Sequence, residues 1–208
     1  MIDVHIIHMP GERHDWWEEC ERSLENHPIT IHHINGVVGD VRQARLNGYR
    51  LGNHEYVSYV DPDDVVLPGA FESMLQELSK RPDVCGAYSL SNRMDHSGKH
   101  LGLIHPYREF SRDYLSRCVT EIHQLAVMRR EPIIQTIQDN FDLIHPIGYT
   151  EITYFALFAQ KYDWLAVDHV GYNWRVHSSG AHMQPHEVRQ EALKFLRTLR
   201  VNLESSSA

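Results

Sequence analysis

Short β-forming runs alternate with helical patterns along the first 90 residues, and this order restricts the fold more than any other feature of the chain. Strands are predicted at 2–9, 29–34, 56–60 and 84–90, where apolar residues with strand propensity are concentrated. Two strands that are joined through a helix pair in parallel, because the crossover returns the chain to the same edge of the sheet. The predicted fold class is therefore α/β, with a Rossmann-like, mostly parallel central sheet flanked by helices.

The helices between these strands carry their own start and burial signals. Asp40 is the predicted N-cap of the second helix, since its short carboxylate can accept a bond from the first turn. Pro68 is predicted at the first position of the third helix, where a missing N–H has no cost. In the first helix, Trp17, Cys20 and Leu24 are predicted to share the buried side.

The second half of the chain is less regular. The predicted elements are a hairpin or mobile loops at 92–117, strands at 121–129 and 164–170, and helices at 151–161 and 187–203. No Pro-, Gly- or Ser-rich linker divides the chain, so we predict a single domain over 1–204 and a disordered tail at 205–208.

The composition excludes several classes of function. A formal charge of −8 argues against a broad surface that follows the phosphates of a nucleic acid. The three cysteines are scattered and odd in number, and the 16 histidines form no zinc motif. With no apolar run long enough to span a membrane and no signal-peptide pattern, the expected location is the cytoplasm.

Three carboxylates follow the third predicted strand within four positions. Asp61, Asp63 and Asp64 come directly after the apolar run that ends at Val60, and Pro62 forces a turn there. Carboxylates this close at the end of a buried strand repel one another unless a cation joins them. Their hard oxygen ligands suit Mg²⁺ or Mn²⁺, which often share substrate phosphates. The alternative is that they only cap the next helix and solvate a turn.

Six segments, in order, give the chain its resemblance to a known family. They are Ala44-Arg45-Leu46-Asn47-Gly48, the strand ending in Asp61-Pro62-Asp63-Asp64, Leu67-Pro68-Gly69-Ala70, Arg129-Arg130-Glu131, Thr150-Glu151, and Tyr172-Asn173-Trp174-Arg175-Val176-His177. This arrangement resembles the family-2 inverting glycosyltransferases with a GT-A fold. The resemblance implies a single GT-A-like domain, with a nucleotide-sugar-binding half at 1–90 and an acceptor-side half at 91–204.

The chain departs from the family pattern at three places. The first strand runs into Met9-Pro10-Gly11-Glu12 where the family has Pro-x-Tyr-Asn. The second strand ends in Ile34-Asn35-Gly36 where the family has Asp-Asp-Gly-Ser, a turn that binds the nucleotide base. Thr150-Glu151 stands where the family has Glu-Asp, so a single carboxylate must act there.

The resemblance also implies roles for individual residues. Glu151 is the candidate general base, because a carboxylate at a helix N-terminus stays ionised and can accept a proton from the acceptor hydroxyl. The candidate ligands of Mn²⁺ or Mg²⁺ are Asp61, Asp63 and His177. The candidate contacts to the ribose or diphosphate of the donor are Asp61, Arg42, Arg45 and Arg175. For Arg42 and Arg45 the alternative is a solvated helix surface.

The implied function is a metal-dependent inverting transfer of a sugar from a nucleotide-diphosphate sugar to an acceptor hydroxyl. The acceptor is left open among a glycan, a protein and a modified nucleic-acid base, and so is the state of the chain as a monomer or homo-oligomer. Two alternatives remain. The first is a sugar-phosphate nucleotidyltransferase, which would need a Gly-rich basic loop after the first strand. The second is a non-catalytic GT-A-like domain that binds a nucleotide or glycan.

Overall fold

A computed structural model describes residues 1–9, 13–118 and 120–178, together with residues 190 and 194. The strands in this part of the chain are β1 (Ile2–His8), β2 (Ile29–Asn35), β3 (Tyr56–Val60), β4 (Val65–Val66), β5 (Gly86–Asp95), β6 (His100–Leu103), β7 (Ala126–Arg129) and β8 (Trp164–Val176). The helices are α1 (His14–Leu24), α2 (Val41–Tyr49), α3 (Ala70–Lys80), α4 (Arg112–Arg117), α5 (Arg130–Asp139) and α6 (Thr150–Lys161).

The strands form one mixed sheet in the order β2-β1-β3-β7-β5-β8-β4, with β6 paired to β5. The pairs β1/β2, β1/β3 and β5/β8 are parallel. Strand β7 lies between β3 and β5 and is antiparallel to both, and β4 and β6 are antiparallel to their neighbours. Consequently β1, β2, β3, β5 and β8 run in one direction, which confirms the predicted α/β class and a mostly parallel sheet.

Helices cover both faces of the sheet, and each face has its own hydrophobic core. One core is built on α1 and α3 and includes Cys20, Phe71 and Met74. The other is built on α2, α5 and α6 and includes Tyr49 and Phe155. Successive residues of β3 point to opposite faces, as the pleat of a strand requires. Among the described residues, no helix is long and apolar enough to cross a membrane.

The first half of the chain follows the predicted strand and helix order, with corrections at two helix positions. Asp40 caps α2 as predicted, since its side chain accepts a hydrogen bond from the Gln43 N–H at 3.0 Å. Helix α3 begins later than predicted, because Gly69 is its N-cap in a left-handed conformation with φ 78°. In α1 the buried aromatic residue is Trp16 rather than Trp17, which gives a regular spacing with Cys20.

The second half contains elements that the sequence pattern did not reveal. Strand β7 covers only the end of the strand predicted at 121–129, and α5 follows it at once with Pro132 in its first turn. The segment predicted as a hairpin or loops contains the β5–β6 hairpin, as predicted, and also the helix α4, which was not predicted. The helix predicted at 187–203, apart from residues 190 and 194, and the tail at 205–208 lie outside the described residues.

Gly48 allows α2 to pack closely on β1. A Cβ atom at this position would lie closer than 3.0 Å to the ring of His5, which is buried in the sheet. In an exposed helix a change from Gly to Ala stabilises by about 1 kcal/mol. We expect Gly48→Ala to destabilise the protein by about 2 kcal/mol instead, because the overpacked ring has no space to move.

Urea denaturation of this variant tests that expectation. The neighbouring exposed variant Asn47→Ala is the control, and we expect it to change the free energy of unfolding by less than about 0.5 kcal/mol. A Gly48→Ala protein as stable as the wild type would contradict the close packing of α2 on β1.

Candidate active site

The candidate active site lies where β3 and β8 end. These two strands run in the same direction, so their C-terminal ends reach the same edge of the sheet. The turn after β3 leads into β4, which pairs with β8 through Val65↔Asn173 and Val66↔Tyr172. The acidic turn at 61–64 is thereby brought to the segment that ends in His177. Ligand sites of α/β sheets commonly lie at this edge.

The first carboxylate of the turn, Asp61, faces helix α2. One of its oxygens accepts a hydrogen bond from Arg45, and the other accepts one from the side-chain amide of Gln124. Burial raises the pKa of Asp61 above its ordinary value, whereas the positive charge of Arg45 acts in the opposite direction. Asp61 is therefore held in place by donors from two distant parts of the chain.

Arg45 joins two carboxylates that are far apart in sequence. Its side chain is only 4% exposed and lies over the ring of Tyr59, with 3.7 Å between the guanidinium carbon and the ring centre. Besides Asp61, it donates from Nε to Oε1 of Glu151 at 2.7 Å. Its Nη1 is buried and has no hydrogen-bond partner among the described residues. A buried unpaired guanidinium donor of this kind is unusual unless a ligand accepts from it.

Glu151 lies in the first turn of α6, as predicted. The chain enters this helix through Gly148 and Tyr149, both with positive φ. The preceding residue in the helix, Thr150, is buried and donates its hydroxyl to the His145 carbonyl at 2.9 Å. Thr150 thus stabilises the turn at the position where the family has a first carboxylate, and Glu151 is left to face the site.

The second carboxylate of the turn, Asp63, pairs with His177. Their Oδ2 and Nε2 atoms are 2.6 Å apart, and the Asp63 side chain is 30% exposed. The ring of Trp16 in α1 packs against the imidazole, with ring centres 4.7 Å apart. The structure therefore brings together two of the three predicted metal ligands, while the third, Asp61, has its oxygens directed at Arg45 and Gln124.

The third carboxylate, Asp64, is buried and holds the turn to β8. It accepts hydrogen bonds from the Tyr172 hydroxyl at 2.8 Å and from the Arg175 N–H at 2.7 Å. Burial raises the pKa of Asp64 well above its ordinary value, and the neighbouring Asp63 and Asp61 charges add to this effect. Asp64 is thus an anchor of the turn.

Two of the arginines predicted to contact the donor have other partners in the structure. The buried Arg175 guanidinium donates to the Asp63 carbonyl at 2.6 Å and to Glu19 of α1 at 2.5 Å. Arg42 donates to the carbonyls of Phe141 and Ile144 at 2.9 and 3.0 Å. Their contacts hold α1 against the acidic turn and hold the loop that leads into α6. Donor binding by either residue stays a prediction.

The side chains present fit a divalent cation at Asp63 and His177. A carboxylate oxygen is the ligand that Mg²⁺ and Mn²⁺ take most readily, and an imidazole nitrogen favours Mn²⁺, a transition-metal ion, over Mg²⁺. Ions of this type commonly use one or two protein ligands and complete their shell with substrate phosphates and water. Asp63 and His177 face one another at the end of the sheet, so the pair meets this requirement, and metal binding by Asp61 stays a prediction.

Gln124, Glu19 and Trp16 complete the site, and the sequence analysis missed all three. Gln124 donates to Asp61, Glu19 accepts from Arg175, and Trp16 packs on His177. For Trp16 the spacing of four residues to the buried Cys20 was an available signal. Gln124 and Glu19 had no signal, because their partners are 63 and 156 residues away along the chain.

Comparison with solved structures defines the class of the fold. The chain resembles a fragment of Staphylococcus aureus TarS, residues 1–349, crystallised with UDP-GlcNAc: the TM-score is 0.65, the identity 11%, and the match covers 93% of this chain and 66% of the fragment. Another structure of TarS from the same organism matches with a TM-score of 0.62 and 11% identity, over 94% of this chain and 38% of that TarS chain. The chain thus spans at most about two thirds of the matched structures and has their GT-A fold.

Sequence comparison then places the chain in a family. The model of glycosyl transferase family 2 matches residues 17–136, which is more than half of the chain. The chain belongs to glycosyl transferase family 2. A search of curated protein sequences finds no match. The predicted family resemblance is therefore confirmed.

Removal of Arg45 is expected to leave two carboxylates without their shared cation. The Asp61 and Glu151 side chains are 30% and 21% exposed. Water can therefore replace some of the hydrogen bonds that Arg45 donates to them. We expect Arg45→Gln to lower the free energy of unfolding at pH 7 by about 3 kcal/mol. This is the lower end of the usual cost of removing one partner from a buried ion pair. Urea denaturation measures this loss.

The loss should depend on pH in a defined direction. Without Arg45 the folded-state pKa of Asp61, already raised by burial, rises further above its ordinary value of 3.8. The folded variant then binds more protons than the unfolded chain, so its deficit is full at neutral pH and shrinks as the pH falls through the folded pKa. Arg81→Gln, which removes an exposed pair with Asp83, is the control and should change little. A deficit independent of pH would contradict this assignment.

Proposed function

We propose that this protein is a metal-dependent inverting glycosyltransferase that moves a sugar from a nucleotide-diphosphate sugar to an acceptor hydroxyl. The observation that carries the proposal is the Arg45 guanidinium, which links Asp61 at the end of β3 to Glu151 at the start of α6. This link places the candidate base beside the acidic turn. Membership of glycosyl transferase family 2 supports the same class of reaction.

Glu151 would act as the general base. Its Oε1 is held by Arg45, whereas its Oε2 accepts no hydrogen bond among the described residues. The side chain is 21% exposed, so an acceptor hydroxyl can reach Oε2 from solvent. Arg45 and the first turn of α6 hold the carboxylate in place before it takes the hydroxyl proton. A single carboxylate in this position is suited to direct displacement, which inverts the anomeric carbon.

Arg45 would also contact the donor. Its buried Nη1 is a donor without a partner among the described residues, and an anionic oxygen of a diphosphate is an acceptor that would satisfy it. The guanidinium cannot rotate freely, because Asp61, Glu151 and the ring of Tyr59 hold its other sides. A donor held by Arg45 would therefore be positioned relative to Glu151 without further rearrangement.

Asp63 and His177 would hold a divalent ion, Mn²⁺ or Mg²⁺, with oxygens of the donor diphosphate. When bound, such an ion neutralises the charge that grows on the leaving diphosphate. Trp16 and Asp64 support this pair indirectly, since the indole packs on the imidazole and Asp64 anchors the turn. The ligands are thereby kept in place on the sheet edge.

The comparisons and the departures in sequence guide the choice of donors to test. The TarS fragment contains UDP-GlcNAc, which makes a uridine-diphosphate sugar the first donor to test. The segments after β1 and β2 differ from the family pattern, so other bases belong in the same panel. The acceptor is a hydroxyl of a glycan, a protein or a modified nucleic-acid base, and the proposed location is the cytoplasm.

Thermal melting with Mn²⁺ and a panel of nucleotide sugars tests the proposed metal site. We expect one donor to raise the melting temperature only when Mn²⁺ is present, because the ion joins Asp63 and His177 to the diphosphate. Asp63→Ala should abolish that increase. Asp142→Ala, which removes an exposed carboxylate from the loop after α5, should retain it. A panel in which no donor stabilises the protein would argue against the transferase.

Glu151→Gln separates catalysis from donor binding. The amide keeps the size of the side chain but cannot take a proton, so turnover should fall by about 10²- to 10⁴-fold while the donor-induced melting shift remains. Release of nucleoside diphosphate and the melting shift are the two measurements. Glu131→Gln is a matched control, since Glu131 is an exposed carboxylate in the first turn of α5. Full turnover in Glu151→Gln would exclude this residue as the base.

The configuration of the product gives an independent check on the mechanism. Direct displacement assisted by Glu151 inverts the anomeric carbon, and proton NMR of the first-formed product reports its configuration. A product that retains the donor configuration would contradict a single displacement. Donor binding with no transfer to any acceptor class would instead favour the non-catalytic binding domain.

A further inference from the structure

A second cluster of polar side chains is formed by residues that follow β6 and α4 in the chain. His105, Cys118 and Glu121 each present one ligand atom, and these three atoms lie within 4.8 Å of one another. In the described part of the chain, this is the one group of three His, Cys, Asp or Glu side chains gathered so closely. None of the three belongs to the site proposed for glycosyl transfer.

Local backbone contacts explain why these residues meet. Cys118 is the C-cap of α4, and its carbonyl accepts a hydrogen bond from the Glu121 N–H at 3.0 Å, which holds the two residues close together. The Ile104 N–H donates to the Ser91 carbonyl at 2.8 Å and holds the residue before His105 against β5. The exit of the β5–β6 hairpin and the turn after α4 are thereby placed side by side.

The Glu121 carboxylate is buried without a strong partner. The residue is 6% exposed and forms no ion pair among the described residues. Its single hydrogen bond there comes from the Tyr88 hydroxyl at 3.5 Å, a distance at which little stabilisation remains. The nearby Arg108 is exposed and lies over the ring of Tyr114 instead. A buried carboxylate in this situation is stabilised by a bound cation.

The other contacts in the cluster are also long. The Thr120 hydroxyl is 3.4 Å from His105 Nε2, and the Cys118 sulfur is 3.6 Å from the same hydroxyl. A cavity of about 10 Å³ adjoins the cluster and is lined in part by His105, Glu121 and His123. This is the space that one water molecule requires. The three ligand atoms are thus close together, weakly bonded to their neighbours and next to room for one small ligand.

We propose that His105, Cys118 and Glu121 bind a Zn²⁺ ion, with a water molecule in the adjoining cavity as the fourth ligand. Thiolate, imidazole and carboxylate are the three ligand types that zinc takes in proteins, and the thiolate excludes Mg²⁺ as the preferred ion. The Cys118 thiol loses its proton to solvent when the ion binds.

The bound ion would connect the acceptor-side segment to the active site. Glu121 is three residues before Gln124, whose amide donates to Asp61. A zinc ion that joins Glu121 to His105 and Cys118 restrains both the exit of β6 and the segment that carries Gln124. The ion is a positioning element in this role, separate from the proposed ion at Asp63 and His177.

Cobalt spectroscopy of the metal-free full chain tests the proposal without any assay of activity. Co²⁺ added under reducing conditions should give a thiolate-to-metal charge-transfer band in the near ultraviolet, and an equimolar amount of Zn²⁺ should remove it. Cys118→Ser should abolish the band. His105→Ala and Glu121→Gln should weaken Zn²⁺ binding by more than about 100-fold, because loss of an outer-shell partner alone costs about 10- to 100-fold.

Three control variants distinguish this site from other metal binding. Cys85→Ser and His100→Ala change a cysteine and a histidine outside the cluster, and both should keep the band and the Zn²⁺ affinity. Asp63→Ala should also keep the band, since no thiol belongs to that pair. Circular dichroism confirms that each variant is folded. A wild-type protein without the band, or a band that survives in Cys118→Ser, would overturn the proposal.

Discussion

Pairing of the three carboxylates at the end of β3 is the constraint on which the site depends. Three carboxylates leave the sheet within four positions, and each meets a different partner: Asp61 meets Arg45, Asp63 meets His177, and Asp64 meets Tyr172. Like charges this close in a partly buried turn are unfavourable unless each is paired. The partners come from α2 and from the end of β8, so the turn forms only when the whole sheet is assembled.

The pairing of Arg45 with Asp61 also connects two distant parts of the candidate site. Arg45 donates hydrogen bonds to two carboxylates, and this links the end of β3 to the first turn of α6. Arg42 and Arg175 have structural contacts instead. Arg42 holds the loop that leads into α6, and Arg175 holds α1 against the acidic turn. Arginines that look equivalent in sequence therefore differ in role, because the fold decides which guanidinium faces the site.

Sequence patterns do not predict the short strand β4 or the bounds of the short strand β7. Strand β7 is only four residues long, yet it separates β3 from β5 in the sheet. Strand β4 is two residues long, yet it brings the acidic turn to β8. Short segments carry too little periodicity to be recognised, and their position is set by hydrogen bonds to strands far away in sequence. Gln124 is recognised as a site residue only from its hydrogen bond to Asp61, which lies 63 residues away in the sequence.

The sequence by itself determined the α/β class and the order of the first strands and helices. It also determined that an acidic turn follows β3 and that Glu151 lies at the start of a helix, because local periodicity and short motifs carry that information. The tertiary structure alone decided how the carboxylates are shared out, that Asp61 faces Arg45 and Gln124, and that His105, Cys118 and Glu121 meet. These contacts join residues that are distant in the chain, and only the packing of the completed sheet brings them within bonding distance.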